Sequence, residues 1–451
     1  MHDPRLTTAE AASVLGASRT GPDVSFLGCA IDSRQVQAGE LFAALSGENM
    51  DGHDYVSKAR EAGAVAALVN RVVDAEMPSI VVRDVHAALG QLSSHWRTRM
   101  PSKLVGVTGS NGKTTVKELL GGMLREVGTT LQTRGNLNND IGLPMTLLRL
   151  ELKHQFAVVE MGANAAREIA SLAAMAKPST GIITHCGPAH LEGFGSIEGV
   201  AHAKGELISA LPEDGVAVLN ADDPFFGYWR DLAGDRRVVT FGLTHQADVS
   251  ALWRDGTAVL ELGIQTHQGS FEARVRLLGQ HNVLNVLAAA AAALEMGASV
   301  DAIVTALNKF TPVRGRLCPV ASISGARLID DSYNANPASL KAAIDILASS
   351  EGTRWLVLGD MAELGTDADH LHSEAGAQAR ASGIDRLLTL GRLSASATRT
   401  FGAGAQHFDC VEDLLNRLRE QTGIGHTVLV KGSRSMAMER VVHGLEVSNA
   451  A

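Results

Sequence analysis

The stretch GVTGSNGKTT at residues 106–115 has the composition of a loop that binds phosphate. Glycines let several backbone N–H groups point inward together, a lysine (Lys113) neutralises phosphate oxygens, and a hydroxyl (Thr114 or Thr115) reaches Mg²⁺. The usual pattern has four residues between its first glycine and the Gly-Lys pair. Here Gly106 lies one residue too far from Gly112-Lys113 to be that first glycine, and Gly109 lies too close. The alternative is a glycine-rich turn without a ligand. We favour a phosphate loop because an apolar strand pattern precedes it and an amphipathic helix pattern follows it.

Two more residues could serve a metal ion beside that phosphate. Glu160 ends the apolar stretch FAVVE, and open α/β sheets bind ligands at the carboxyl ends of their strands. Mg²⁺ prefers carboxylate oxygens of this kind. His190 lies in a glycine-rich loop after a second apolar stretch. The pattern alone leaves open whether these residues are ligands, or an ordinary strand-end glutamate and a structural histidine.

Lys204 occupies a position where a helical pattern calls for an apolar residue. The stretch SIEGVAHAKGELISAL (196–211) carries an apolar stripe from Ile197 to Leu211, and residue 204 completes it. One interpretation is that the lysine stem is buried and its amine reaches water. The other is that burial lowers the pKa of the amine and makes it neutral and reactive.

The elements around these residues indicate an α/β protein with mainly parallel sheets, because apolar runs alternate with helical patterns through most of the chain. Breaks at 96–103 and 310–316 predict three domains, at residues 1–100, 101–312 and 313–451. Four stretches between 238 and 279 are typical of antiparallel strands, with Asp255-Gly256 as a hairpin turn. In the last domain, Asn336 is the predicted N-cap of a helix that starts at Pro337.

Composition and charge argue against several classes of protein. The 451 residues are 45% apolar and carry a formal net charge of −9, which argues against a surface that coats nucleic acid. The four cysteines (Cys29, Cys186, Cys318 and Cys410) are far apart and form no zinc or disulfide pattern, which fits a reducing, cytoplasmic setting. We expect no membrane span, because no apolar run approaches about 18 residues, and no signal peptide.

The whole sequence strongly resembles the Mur ligase family, and the off-pattern phosphate loop has the form that this family uses. The stretches that carry the resemblance are DSRQVQAGELFAALSGENMDGHDY (32–55), TGSNGKTTVKE (108–118), GNLNNDIGLPMTLLRL (135–150), GPAHLEGFGSIEGVAHAKGEL (187–207), LGQHNVLNVLAAAA (278–291), DDSYNANPASL (330–340), LGDMAELG (358–365) and KGSRSMAMERVV (431–442). The resemblance implies a uridine-nucleotide-binding N-terminal domain, a central P-loop ATPase domain and a C-terminal Rossmann-like domain.

The resemblance also implies roles for residues at matching positions. The implied ATP-binding residues are Gly109, Ser110, Asn111, Gly112, Lys113, Thr114, Thr115, Asn282 (adenine), Arg316 (γ-phosphate) and Asp331 (ribose). Thr114 and Thr115 would face one Mg²⁺, and Glu160 and His190 would bind a second. Lys204 would carry CO₂ as a carbamate near that metal. The implied substrate-binding residues are Asn136, Asn138 and Asn139 for the peptides, and Ser33, Arg34 and the 45–50 loop for the UDP-sugar.

The reaction that the resemblance implies belongs to peptidoglycan precursor synthesis. ATP would activate the carboxylate of a UDP-N-acetylmuramoyl-tripeptide as an acyl phosphate, and the amine of D-Ala-D-Ala would then displace phosphate. Lys113, Lys204, His190 and Arg316 would be the catalytic residues of this ligase, which we expect to be a cytoplasmic monomer. The alternatives are another Mur-type or folylpolyglutamate-synthase-like ligase and, less favoured, a P-loop ATPase switch.

Overall fold

The computed structural model describes residues 5–47, 50–188, 190–255 and 259–447. It contains two six-stranded sheets, one five-stranded sheet, one three-stranded sheet and a two-stranded ladder, with helices between most strands. The predicted α/β class with mainly parallel sheets is therefore confirmed.

The first region carries the five-stranded sheet in the order β2-β7-β6-β5-β4, in which only β2 pairs antiparallel. Its elements are β1 (Leu6–Thr7), α1 (Thr8–Leu15), β2 (Ser18–Thr20), β3 (Ser25–Phe26), β4 (Cys29–Ala30), β5 (Leu41–Ala43), α2 (Val56–Glu61), β6 (Ala66–Val69), β7 (Ser79–Val81) and α3 (Val85–Thr98). A 3₁₀ helix at Gly52–Tyr55 precedes α2.

The central region is built on a parallel sheet with the strand order β13-β12-β11-β8-β10-β9. Its elements are β8 (Lys103–Thr108), α4 (Lys113–Arg125), β9 (Thr130–Gln132), α5 (Gly142–Leu147), β10 (Phe156–Glu160), α6 (Glu168–Ala176), β11 (Thr180–Ile183), α7 (Leu191–Phe194), α8 (Ile197–Ser209), β12 (Val216–Asn220), α9 (Phe226–Ala233) and β13 (Arg237–Phe241). The strand order reverses beside β8, which is where sheets of this kind open a ligand crevice.

A three-stranded antiparallel sheet and two helices follow. They are β14 (Ser250–Asp255), β15 (Leu260–Thr266), β16 (Gly269–Val275), α10 (Gln280–Glu295) and α11 (Val300–Lys309). One part of the prediction for 238–279 was wrong, because the first of the four stretches is β13 and pairs parallel with β12. The other three are antiparallel as predicted. Asp255 pairs with Leu260, and the Gly256 half of the predicted turn lies outside the described residues.

The third region has the strand order β17-β18-β22-β19-β20-β21, in which only β17 is antiparallel. Its elements are β17 (Cys318–Ala321), β18 (Arg327–Asp331), α12 (Pro337–Ala348), β19 (Thr353–Gly359), α13 (Ala368–Ala381), β20 (Arg386–Leu390), α14 (Ala395–Phe401), β21 (Ala405–Phe408), α15 (Val411–Gln421), β22 (His426–Lys431) and α16 (Glu439–Leu445). The predicted start of α12 is confirmed, since Asn336 accepts from Ser339 N in a capping box before Pro337.

The first and central regions share one hydrophobic core. A single cluster of buried side chains runs from Leu6 through Trp96 to Leu207. Trp96 Nε1 donates to the carbonyl of Leu150 (3.0 Å), and the buried Arg97 guanidinium donates to the carbonyls of Ala176, Met100 and Ser102. The third region has separate clusters on the two faces of its sheet, one of which also includes Leu278.

In the described ranges, we find no helix of the length and apolar character needed to cross a bilayer.

Candidate active site

A cleft of about 450 Å³ lies where the carboxyl ends of the central strands face those of the third region. It brings together most of the residues singled out from the sequence. Those that line it are Ser110, Asn111, Gly112, Lys113, Thr114, Thr115, Asn136, Asn138, Asn139, Glu160, His190, Asn282, Arg316 and Asp331. Gly109, Lys204, Ser33 and Arg34 are not in the lining that the described residues form.

The loop between β8 and α4 has a backbone that only glycine permits at two positions. Gly109 has φ +145° and Gly112 has φ +83°, and a Cβ at either residue would collide with a polar side chain of Thr184 or Asn285. The loop ends directly at the first turn of α4, so the helix N-terminus faces the cleft. Such an N-terminus attracts anions through its free N–H groups and its dipole.

Lys113 lies over this loop. Its Nζ donates to the carbonyl oxygens of Gly109 (2.6 Å) and Ser110 (3.3 Å). Burial lowers the pKa of the Lys113 amine, and the nearby positive charge of Arg316 lowers it further, while Glu160 opposes both. The positive charges of Lys113 and Arg316 repel each other in this confined site. A bound polyphosphate would offset that repulsion with its negative charge.

Glu160 ends β10 as predicted, and its side chain is buried rather than exposed. Its Oε2 accepts from the hydroxyl of Thr114 (3.0 Å), and its Oε1 accepts from Nδ2 of Asn138 (2.8 Å). A carboxylate and a hydroxyl beside an open cleft suit Mg²⁺, which takes a few protein oxygens and completes its shell with phosphate and water. The residues present therefore fit a magnesium ion at this point.

His190 lies at the other side of the cleft, with a left-handed backbone (φ +51°). Its Nδ1 pairs with Glu363 Oε2 at 2.5 Å, so the third region supplies its partner. Burial lowers the pKa of the His190 imidazole, and Glu363 opposes that effect. Over the described ranges, no three His, Cys, Asp or Glu side chains gather into a metal site.

Lys204 is buried on α8, with 2% of its surface exposed. The interpretation in which its amine reaches water is therefore wrong. Its Nζ lies 5.4 Å from the ring centroid of Phe194. Burial, reinforced by the positive charge of Lys113, lowers the pKa of the Lys204 amine to about 7. The amine is thus neutral in a large fraction of molecules near pH 7. Ile197, at the start of the same stripe, is partly exposed.

The third region contributes cations and amides to the loop. Arg316 Nη2 donates to Thr114 Oγ1 (3.3 Å), and the guanidinium stacks 4.0 Å from the Tyr333 ring centroid. Asn336 Nδ2 donates to Asn111 Oδ1 (3.1 Å). These contacts close the third region onto the phosphate loop.

Three of the asparagines that the resemblance assigned to ligands, Asn138, Asn139 and Asn282, have protein partners. Asn282 is buried, and its amide donates to the Leu278 carbonyl (2.9 Å) and accepts from Asn285. Asn139 Oδ1 accepts the N–H of Gly142 (2.9 Å) at the start of α5. Asn136 is exposed at the cleft. These side chains therefore shape the cleft as well as line it.

Ser33 and Arg34 lie away from this cleft. Ser33 is buried in the first region, and the largely exposed Arg34 pairs with Asp32 at 2.8 Å. Within the 45–50 loop, Glu48 and Asn49 lie outside the described residues. Ser46 donates to Asp51 Oδ1 (3.0 Å), which also binds His53.

Sequence reasoning missed two buried lysines next to the cleft. Lys117 on α4 donates to the carbonyls of Thr133 (3.0 Å) and Gly135 (3.2 Å) and so holds the segment that leads to Asn136. Lys431 ends the apolar strand β22, lines the cleft and pairs with Asp331 at 2.5 Å. The argument that singled out Glu160, a charged residue at the end of an apolar strand, applies equally to Lys431.

Three family matches to known proteins correspond to the three regions of the structure. Residues 25–97 match "Mur ligase family, catalytic domain", residues 107–293 match "Mur ligase middle domain", and residues 315–434 match "Mur ligase, glutamate ligase domain". The UDP-N-acetylmuramoyl-tripeptide--D-alanyl-D-alanine ligase of Escherichia coli (strain K12) is 42% identical over 450 residues, which cover 98% of each chain.

Two solved structures have the same fold over nearly their whole length. MurF from Acinetobacter baumannii superposes with a TM-score of 0.89 at 33% identity, covering 98% of this chain and 99% of that one. MurF ligase from Thermotoga maritima, in complex with ADP, gives a TM-score of 0.81 at 27% identity, with 93% and 96% covered. The matches span all three regions in order, and the chain belongs to the Mur ligase family.

Proposed function

We propose that this protein is an ATP-dependent ligase that joins D-Ala-D-Ala to a UDP-N-acetylmuramoyl-tripeptide, giving ADP and phosphate, in peptidoglycan precursor synthesis. The observation that carries the proposal is the end-to-end identity of 42% with a ligase of that name. The cleft also supports the proposal, because Lys113, Arg316 and Glu160 line it together with Ser110, Asn111 and Gly112 of the glycine-rich loop.

The proposed reaction has two steps. An oxygen of the tripeptide's terminal carboxylate attacks the γ-phosphorus of ATP, and the bond between that phosphorus and the β-phosphate oxygen breaks. ADP is released, and the tripeptide now carries an acyl phosphate. The amine of D-Ala-D-Ala then attacks the acyl carbon, phosphate leaves with the bonding electrons, and the amine loses a proton. Two anions meet in the first step, so Lys113 and Arg316 would stabilise the charge on the transferring group.

The metal site is the next part of the proposal. Thr114 and Glu160 would hold one Mg²⁺ with help from Thr115, and Glu160 and His190 would hold a second. Bound there, Mg²⁺ would neutralise charge on the β- and γ-phosphates. A carbamate formed from Lys204 and CO₂ would supply an anionic oxygen ligand in place of a cation. The neutral amine that burial favours supports this role, since only a neutral amine adds to CO₂.

The remaining assignments rest on the family match. Asn282 and Asp331 would contact adenosine, and Asn136, Asn138 and Asn139 the peptide substrates. Ser33 and Arg34 would lie against the UDP-sugar in a separate part of the first region. The proposed domains are 1–100, 101–312 and 313–451, and the limits of the three family matches support them. A cytoplasmic location fits an enzyme that uses ATP and a uridine nucleotide.

Phosphate release from ATP tests the proposal. We expect release only when both a UDP-N-acetylmuramoyl-tripeptide and D-Ala-D-Ala are present, and Lys113→Ala should lower kcat/KM by about 10²–10³-fold. Lys103→Ala, an exposed lysine at the start of β8, the strand that leads into the loop, is the matched control. Running the assay with meso-diaminopimelate or L-lysine as third residue assigns the tripeptide. Release without the amine substrate would instead indicate an ATPase switch.

A further inference from the structure

Lys431 is a buried cation at the nucleotide side of the cleft. It ends β22, and the register of the two parallel strands places it beside Asp331, which ends β18. Its Nζ donates to Asp331 Oδ2 (2.5 Å) and to the carbonyl oxygen of Asn334 (3.0 Å). Lys431 and Asp331 are both buried, with 2% and 7% of their surfaces exposed. One amine therefore holds a strand end and the loop that follows it.

The segment that Lys431 holds is connected to the phosphate loop through hydrogen bonds of neighbouring residues. Asp331 Oδ1 accepts the N–H of Leu317 (3.2 Å), next to Arg316. Two residues beyond Asn334, Asn336 caps α12 and donates to Asn111. A displacement of the 331–336 segment would therefore move two of the contacts that close the cleft.

Of the charged groups near the Asp331 carboxyl, Lys431 has the strongest effect on its pKa. Burial raises the pKa of the Asp331 carboxyl, and Lys431 opposes this rise more strongly than Arg316 does. His281 also faces Lys431, but burial lowers the pKa of its imidazole to about 4, so it is neutral. Asp330 points elsewhere and accepts from Gly315 N and Ser332.

We infer that Lys431 is a positioning residue of the nucleotide site, which holds the Asp331 carboxylate and the 331–336 segment in the geometry that receives a ribose. The inference rests on the proposed use of ATP. Removing the amine leaves a buried carboxylate without its cation, and such a carboxylate takes up a proton as the pH falls. A protonated Asp331 accepts hydrogen bonds from ribose hydroxyls less well.

The test compares Lys431→Met, Asp331→Asn and the double variant with the wild type, using ADP binding by calorimetry and KM for ATP between pH 6.5 and 9. Lys341→Met, an exposed lysine on α12, is the matched control. We expect Lys431→Met to weaken ADP binding by about tenfold at pH 7. The loss should shrink as the pH rises, and KM for D-Ala-D-Ala should change less than twofold. Calorimetry needs no ligation, so this arm stands even if the proposed acceptor is wrong.

The double variant decides between positioning and a merely structural role. An asparagine at 331 needs no cation, so Lys431→Met should add less than threefold to the loss caused by Asp331→Asn. If Lys431→Met alone fails to fold but the double variant folds, charge compensation is again supported. Unchanged ADP binding, a loss that is the same at every pH, full additivity, or unfolding of both variants would overturn the inference.

Discussion

Single charged residues meet at the phosphate loop and the first turn of α4. Lys113 donates to the loop backbone, Arg316 and Glu160 both contact Thr114, and Lys204 lies close enough to Lys113 for their charges to repel. Burial disfavours the charged form of both lysines, so a polyphosphate or a carbamate would relieve an unfavourable state. The site is therefore preorganised for added negative charge.

At this scale, the role of Lys204 can be tested through CO₂. We expect Lys204→Arg to lose about 100-fold or more in ligase activity, because a guanidinium cannot become an anionic carbamate. The wild type should lose activity in CO₂-depleted buffer and recover it when bicarbonate is added. The residual activity of Lys204→Arg should not change in either condition. Circular dichroism checks that the variant folds, since arginine is the larger side chain. Full activity in the folded variant would contradict the carbamate.

Burial of Lys204 should also appear in the pH dependence of stability. The pKa of Lys204 is about 7 in the folded protein and 10.5 for a lysine in water, so between these pH values the unfolded chain binds more protons. Stability then rises with pH in this window by up to about 1.4 kcal/mol per unit, and the penalty is greatest below pH 7. Lys204→Met, measured by urea unfolding in CO₂-free buffer, should lack this rise. A parallel curve for both proteins would exclude the shift.

The sequence indicated Lys204 and Glu160 because local periodicity reveals an interrupted apolar stripe and a strand end. It did not indicate the pairing of Lys431 with Asp331, which lie 100 residues apart and meet only through strand order. Nor could it show that Glu363 would reach His190.

Among the elements, α12 connects the third region to the phosphate loop through its N-cap residue, Asn336. The N-cap of α12 was predictable because Asn-Pro is a local signal, but the contact of the same amide with Asn111 depends on how two regions meet. The error at 238–243 has a similar origin. A short apolar strand has the same pattern whether it extends a parallel sheet or starts an antiparallel one.

Two substitutions separate the functions of Asn336. Asn336→Ala removes both the cap and the contact with Asn111, and should cost about 1 kcal/mol of stability as well as raise KM for ATP. Asn336→Asp keeps an oxygen for the cap but loses the donor, so we expect near-wild-type stability with a raised KM. Thermal unfolding and steady-state kinetics measure the two effects. Equal KM values in Asn336→Asp and wild type would show that the contact is not used.

For the whole molecule, the third region lies closed over the loop through the contacts of Arg316 with Thr114 and of Asn336 with Asn111. Neither contact is strong enough to hold a domain alone, since each is worth about 1–3 kcal/mol at most. Nucleotide would add bridging contacts on both sides of the cleft. We expect the chain at 311–315, which connects the two regions, to be part of the hinge.

We therefore expect the protein to be more open without nucleotide. Small-angle scattering should show a smaller radius of gyration with an ATP analogue and the UDP-tripeptide than without ligands. Arg316→Ala should weaken this compaction, and the exposed Arg399→Ala serves as control. An identical radius under saturating ligands would argue against closure of the third region.

The core around Trp96 limits how the chain can be divided. Since the indole and the Arg97 guanidinium are bonded to backbone of the central region, a fragment ending near residue 100 would expose an apolar helix face and lose the acceptors of a buried cation. Such a fragment should be recovered as aggregate, while a fragment of the third region, with its own clusters, should survive expression alone. In evolutionary terms, we expect recombination to replace the third region as a unit more readily than the first region, whose core continues into the central one.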